Sequence, residues 1–393
     1  MAGTQTLRRA AAIVVAAVLV AALVGASTAH ASKFIKKGIY DDAQVLYGNP
    51  DKVFPVLQQM GTQVLRVNLW WGGPNGVARR RPVNASSPAD RAYDWATYDR
   101  TVRYANAFKI EPVFTVIGTP AWANASAGWN AAPSRPADLQ AFVTAAARRY
   151  SGSYAIEDGT TAARVNKWIA WNEPNNPVFL RPQFVPSGGA WVMRSAADYA
   201  RICNAVVKGV KSVSRTGKVA CGVTSPRGNN QPGTTRTSVS PLAFLRAMKK
   251  AGAKGFDAYA HHPYYGYPSE TPSTKPPPGK RGQPTTAVTL GNFELLTREV
   301  ARLYGNMRIW VTEYGYQTNP PDKQYGVSFE HQALYLTQAW KKLAKHPKVD
   351  MMIWFLLQDE ERVPAGWQSG LYTAHGARKP AREAFERLVP RRP

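Results

Sequence analysis

Short apolar runs alternate with amphipathic stretches along most of the chain. The runs at 38–40, 64–69, 113–117, 168–171, 219–223, 258–262, 309–312 and 351–355 are rich in β-branched and aromatic residues. Several are apolar at consecutive positions, the pattern of strands buried on both faces of a parallel sheet. Between them, the segments 53–60, 95–108, 137–150, 196–213, 241–251, 293–304, 329–344 and 379–388 repeat their apolar residues at helical spacing. Eight strand–helix units in succession predict an α/β fold, a (β/α)8 barrel. A doubly wound open sheet is the competing arrangement, but no glycine-rich phosphate turn follows the first strand.

The connections sort by direction. Helix-to-strand links are short, whereas the strand-to-helix links at 72–93, 118–135, 178–195, 224–240, 263–292 and 356–377 are long. A barrel presents all its strand-to-helix loops on one face, where active sites are built. No linker, repeat or composition shift divides residues 32–393, which are read as one barrel domain.

Residues 1–31 read as a signal peptide: Arg8-Arg9, an apolar run over 10–24, and Ala29-His30-Ala31, a small-x-small cleavage pattern. The apolar run falls short of the ~20 residues a membrane span wants. Cleavage after Ala31 and export are therefore expected, with membrane contact only through this segment were it left uncleaved. Export places Cys203 and Cys221 where a disulfide is permitted, and their pairing is left open by the sequence.

Composition narrows the function classes. With 44% hydrophobic and 19% charged residues, the chain is too apolar for disorder and too polar for a multi-span membrane protein. Two cysteines exclude a disulfide scaffold and a four-cysteine zinc site. Lys+Arg 50 against Asp+Glu 25 gives a net charge of +25, with clusters at Arg79-Arg80-Arg81, Arg148-Arg149 and Lys249-Lys250. That charge reads either as a solvated basic surface or as attraction to an anionic polymer. Nucleic acid is not expected as a partner, because no recognised binding module is present and export argues against it. Esterase, phosphate-loop and zinc-protease signatures are absent too.

The chemistry gathers at two strand ends. Trp171-Asn172-Glu173-Pro174-Asn175 closes the fourth strand and Thr312-Glu313-Tyr314-Gly315 the seventh. A buried carboxylate costs several kcal/mol unless compensated, so two at the ends of buried strands need a reason. Paired carboxylates across a pocket suit glycosidic bond cleavage, one as acid/base and one as nucleophile.

These residues give the chain a specific likeness. The Asn-Glu-Pro at strand four and the glutamate at strand seven resemble the retaining glycoside hydrolases of clan A. Arg66, His262-Pro263-Tyr264 and Trp354 extend the resemblance over nearly all of the chain beyond residue 31. The five residues from Trp171 to Asn175 look most like family 39, with families 5 and 51 close competitors. The third strand ends in Gly118-Thr119-Pro120-Ala121-Trp122 without the histidine usual near this point in family 5 cellulases. That departure favours family 39.

The resemblance implies Glu173 as general acid/base and Glu313 as nucleophile. It implies Arg66 as the charge partner of Glu313, Asn172 as the partner of a sugar 2-hydroxyl, and Tyr264 as a hydrogen-bond donor to the nucleophile. Trp354 would form the floor under the sugar, and His262 and Trp122 would line the substrate site. His261 would face the barrel wall. Further loop aromatics, Trp70, Trp71, Trp129, Trp191, Tyr265, Tyr316 and Trp367, are divided between sugar stacking and packing. The implied partner is an oligo- or polysaccharide, acted on by a monomer that needs no metal or organic cofactor; the anionic character of that partner is what the net charge suggests. A non-catalytic carbohydrate-binding barrel is the alternative.

Overall fold

In the computed structural model, which describes residues 34–279, 282–363 and 365–390, the eight apolar runs pair side by side and close on themselves. The barrel strands are β1 (Lys36–Tyr40), β2 (Val64–Trp70), β3 (Glu111–Ile117), β4 (Lys167–Ala170), β7 (Lys218–Thr224), β8 (Ala258–His261), β9 (Arg308–Tyr314) and β10 (Val349–Phe355), all parallel. The residues expected to form a signal peptide lie outside the described range. No helix among the described residues is long and apolar enough to cross a membrane.

Helices α1 (Asp42–Val45), α2 (Pro50–Gln59), α3 (Ala96–Ala107), α4 (Pro136–Arg149), α5 (Arg194–Val213), α6 (Pro241–Lys250), α7 (Glu294–Tyr304), α8 (Phe329–Lys345) and α9 (Pro380–Glu386) lie between and after the strands. Their starts are encoded locally. Proline opens α2, α4, α6 and α9, where its missing N–H leaves no bond unmade. Asp41, Asn49 and Ser328 cap α1, α2 and α8 through their side chains.

Strand alternation divides the core in two. Val64, Val113, Ile169, Ala258 and Ile353 fill the barrel interior, while their strand neighbours Leu65, Phe114, Trp168, Tyr259 and Trp354 pack outwards against the helices. One departure from alternation shapes the site. Val311 aligns with Met352 but Tyr314 aligns with Trp354, so β9 carries one residue more than its partner over this stretch. Such a bulge re-aims a side chain. Thr312 and Glu313 both reach the interior network, whereas regular pleating would send them to opposite faces.

Cys203 on α5 and Cys221 on β7 form a disulfide, which settles the pairing that the sequence left open. The loop after β4 holds an unexpected antiparallel hairpin, β5 (Phe184–Ser187) and β6 (Ala190–Met193).

Candidate functional site

Arg66 organises the top of the barrel. It is fully buried on β2 and reaches across the interior. Its Nε donates to Thr115 Oγ1 on β3 at 2.9 Å, and Nη2 donates to Asn172 Oδ1 at 2.7 Å. Nη1 donates to the Thr312 carbonyl at 3.0 Å and to Glu313 Oε1 at 2.6 Å. The guanidinium also lies 4.3 Å from the centre of the Tyr40 ring, a cation–π contact. A buried cation is tolerable only when so completely satisfied.

Glu313 receives a second donor, the Tyr264 hydroxyl, 3.2 Å from Oε2. Glu173 has a different environment. His262 Nδ1 stands 3.0 Å from its Oε1, and Asn176 Nδ2 donates to its Oε2 at 3.1 Å. Burial pushes the Glu173 carboxyl up to about 7, against the lowering effects of Asn176 and Arg66. His262 is buried and held neutral, its pKa lowered to about 3 by desolvation. Its Nε2 faces Arg66 Nη1 at 3.4 Å, and a guanidinium only donates. The proton therefore sits on Nδ1, directed at Glu173 and 3.6 Å from Glu313 Oε2.

Glu173 is held in place by an unusual backbone. Trp171 and Glu173 adopt φ of 68° and 35°, conformations that cost non-glycine residues of order 1–3 kcal/mol each. Two bonds from Asn175 offset that cost. Its buried side chain accepts from Ser225 N at 2.8 Å and donates to the Val239 carbonyl at 2.8 Å, tying the turn to the loop after β7.

Around the two carboxyls opens a cleft of about 740 Å³. Tyr40, Asn172, Phe179, Arg227, Tyr265, Tyr267, Tyr325, Phe355 and Trp367 line it with Glu173, Tyr264 and Glu313. Aromatic faces with a few convergent polar groups are the usual lining of a small-molecule site. Carboxylate oxygens of Glu173 and Glu313 and a His262 nitrogen lie within 4.8 Å of one another, a spacing that would also admit a cation. The Arg66 guanidinium already supplies the positive charge there, and the Nδ1 proton of His262 leaves that nitrogen no lone pair to give. The trio reads as a charge and proton network.

Of the residues singled out from the sequence, Arg66, Asn172, Glu173, His262, Tyr264 and Glu313 converge. Two do not. Trp354 is fully buried outside the barrel wall, its Nε1 donating to the Ser369 carbonyl at 2.9 Å, because alternation turns its neighbour Phe355 into the cleft instead. Trp122 is drawn away by a bond from Nε1 to the Ala78 carbonyl at 3.0 Å, an edge contact with Trp71 and the guanidinium of Arg81. His261 does face outward, 2.8 Å from Thr224 Oγ1 and 3.0 Å from the Val288 carbonyl. Among the loop aromatics, Trp367 and Tyr265 line the cleft, Trp71 and Tyr316 are core, and Trp191 sits on the exposed hairpin. Asn176, Phe355 and Arg227 were not singled out. Period-two counting from Ile353 would have found Phe355, and the three-residue spacing from Glu173 marks Asn176.

A family model described as a family of unknown function (DUF5722) matches residues 121–389. No curated protein matches the chain. Solved structures with the same fold include a family 39 glycoside hydrolase from Bacteroides cellulosilyticus WH2 (TM-score 0.63, 19% identity), covering 91% of this chain and 64% of that one. A glucosidase from Croceicoccus marinus follows at TM-score 0.62 and 15% identity, covering 92% and 68%. A monomeric β-xylosidase from Caulobacter crescentus CB15 gives 0.59 and 16%, covering 91% and 68%. This chain thus spans about two thirds of their lengths, and at such identities the likeness establishes the barrel fold.

Proposed function

We propose that this chain, which belongs to the DUF5722 family, is a glycoside hydrolase working by double displacement on an oligo- or polysaccharide. One observation carries the reading. Two buried carboxyls stand with oxygens no more than 4.8 Å apart, in environments that push them towards opposite roles. Retaining enzymes hold their carboxyls ~5–5.5 Å apart, whereas inverting ones leave ~6.5–9.5 Å for a water. Glu173, with its pKa raised to about 7, suits the proton donor. Glu313, with the Arg66 cation and the Tyr264 phenol beside it, suits the nucleophile. The fold shared with family 39 enzymes raises this reading by analogy.

In the first step a Glu313 oxygen bonds to the anomeric carbon while Glu173 gives its proton to the departing glycosidic oxygen. In the second, Glu173, now ionised, takes a proton from water as that water displaces Glu313 and releases the sugar with its original anomeric configuration. Asn172 spends its acceptor oxygen on Arg66, so its amide N–H groups are the ones left for a sugar hydroxyl. His262 steadies the Glu173 carboxyl, and Phe355 and Trp367 offer faces to the ring. We further propose an exported, monomeric enzyme. The leader sequence and the Cys203–Cys221 disulfide both support an oxidising destination.

The test is reducing-sugar release from a panel of plant and bacterial polysaccharides by wild type and Glu313→Ala. Release from one polymer, lost by at least 10³-fold in the variant, is expected. Activity that survives in Glu313→Ala would move the nucleophile elsewhere. Sugar binding without release by wild type would establish the binding-only barrel instead.

A further inference from the structure

A second cleft, of about 630 Å³, opens at the other end of the barrel. Asn166 and Trp168 line it at the start of β4, while Asn172 and Glu173 line the catalytic cleft beyond that strand's end. The opening lies between the last turn of α4, the segment leading into β4 and the end of α5. Three arginines border it: Arg148, Arg164 and Arg215, all exposed. Among the described residues, no aspartate or glutamate borders it. The acids nearby are consumed by the neighbouring Arg149, buried between Asp99 at 2.6 Å and Glu157 at 2.9 Å. Among the described residues, none of the three bordering arginines takes part in an ion pair.

Ordinary helix chemistry covers only part of this. Arg148 in the last turn of α4 and Arg215 just past α5 complement the negative ends of helix dipoles. Arg164 belongs to no helix. Its Nε donates to the Ser151 carbonyl at 2.8 Å, which fixes the guanidinium at the rim beside the other two. Three cations without counter-charge around one concavity raise the local concentration of anions, and the planar guanidinium matches carboxylate oxygens two at a time. Between them the walls carry hydroxyls of Ser151, Ser153 and Ser214 and the half-buried ring of Tyr154, while Tyr150 is buried behind them against Trp95 and Phe114. Hydroxyls to bond and an aromatic edge to pack on are what a sugar ring recognises, and guanidinium forks are what its carboxylate recognises.

We propose that this cleft is a second binding site, for an acidic polysaccharide of the uronic acid class, which holds the protein on a polymer while the catalytic mouth points away. The proposal stands independently of the catalytic reading, since binding there requires no turnover. It gives the net charge of +25 a specific point of action.

The experiment measures binding of the full chain to immobilised polygalacturonate and to the same polymer fully methyl-esterified, which keeps the backbone and removes its charge. Two triple variants lose the same three positive charges. One is Arg148→Ser/Arg164→Ser/Arg215→Ser; the other is Arg298→Ser/Lys341→Ser/Lys345→Ser, at exposed positions on α7 and α8. The expected result is binding to the acid form, at least tenfold weaker in the cleft variant and within threefold of wild type in the other. Arg215→Ser alone, at an exposed site past a helix end, is expected to weaken binding two- to threefold and guards against a misfolded triple variant. Equal loss in both triples would make the attraction diffuse and overturn the site. Equal binding to the esterified polymer, or equally effective competition by duplex DNA, would overturn the acidic polysaccharide as its ligand.

Discussion

Glu173 pays for its role in stability. Its folded pKa of about 7 exceeds the ordinary 4.5, so the native state prefers the protonated form. The contribution to stability is complete below pH 4.5 and lost as pH rises through 7. Glu173→Gln is therefore expected to stabilise the protein at pH 8, by about 3 kcal/mol at most, and to change nothing at pH 4; urea unfolding at the two values measures it. In the proposed mechanism the same proton sets the rate. The kcat/KM of wild type should fall tenfold per pH unit above about 7, and Glu173→Gln should cost ~10²–10⁴-fold on substrates with poor leaving groups. Asn176→Ala removes a hydrogen bond that favours the ionised form, so its alkaline limb should move to higher pH. A limb that stayed in place, or moved down, would take Asn176 out of the proton's control.

At the scale of elements, the sheet was legible and the decorations were not. Runs such as 64–69 and 351–355 announce strands because burial on both faces forces consecutive apolar residues. The β5–β6 hairpin escaped because its residues pair only with each other and are largely exposed, so no buried face imposes a pattern. The meeting of the two strand-end carboxylates was legible, since a carboxylate is buried only where a partner awaits it. Trp354 was misplaced for another reason: the family resemblance suggested a sugar platform, while pleating decides direction and gives the cleft to Phe355. The bulge in β9 carries no turn residue that a reader could recognise. Helix α5 is tied to the sheet twice, by the disulfide and by Tyr199, whose hydroxyl donates to Ala170 O at 2.9 Å and accepts from Gly222 N at 2.8 Å. Cys203→Ala/Cys221→Ala is expected to lose about 3 kcal/mol, the entropy of a loop closed across 18 residues, read from urea midpoints. A loss well below ~1 kcal/mol would mean that Tyr199 alone pins the helix, since disulfides of this span ordinarily contribute more.

For the whole molecule, buried groups pull the pH profile in two directions. Burial raises Asp41 to about 6 and Asp42 and Glu173 to about 7, and these contributions are lost as pH rises from the carboxylate range to those values. His261 and His262 are lowered to about 3, so theirs are intact above 6.5 and lost as pH falls to 3. Between about pH 4.5 and 6.5 the two sets oppose each other, and a shallow urea-midpoint profile is expected there. Below about pH 4 the carboxyls have no more to give while the histidines still take up protons, and the midpoint should drop. A steep rise from pH 4.5 to 6.5 would show that the carboxyls contribute little.

Arg66 also imposes an order on how the chain comes to be folded. Its counter-charge, Glu313, lies 247 residues later. A chain emerging from its N-terminus has made β2 and β3 long before that carboxylate exists, and sealing a core around an unpaired guanidinium costs several kcal/mol. The early strands must therefore keep Arg66 in water until β9 arrives. Half-made barrels are expected to stay open, with closure late in the chain's emergence, when nearly the whole sequence is available. For the exported enzyme proposed above, threaded through a membrane unfolded, that delay would be an advantage written into one side chain.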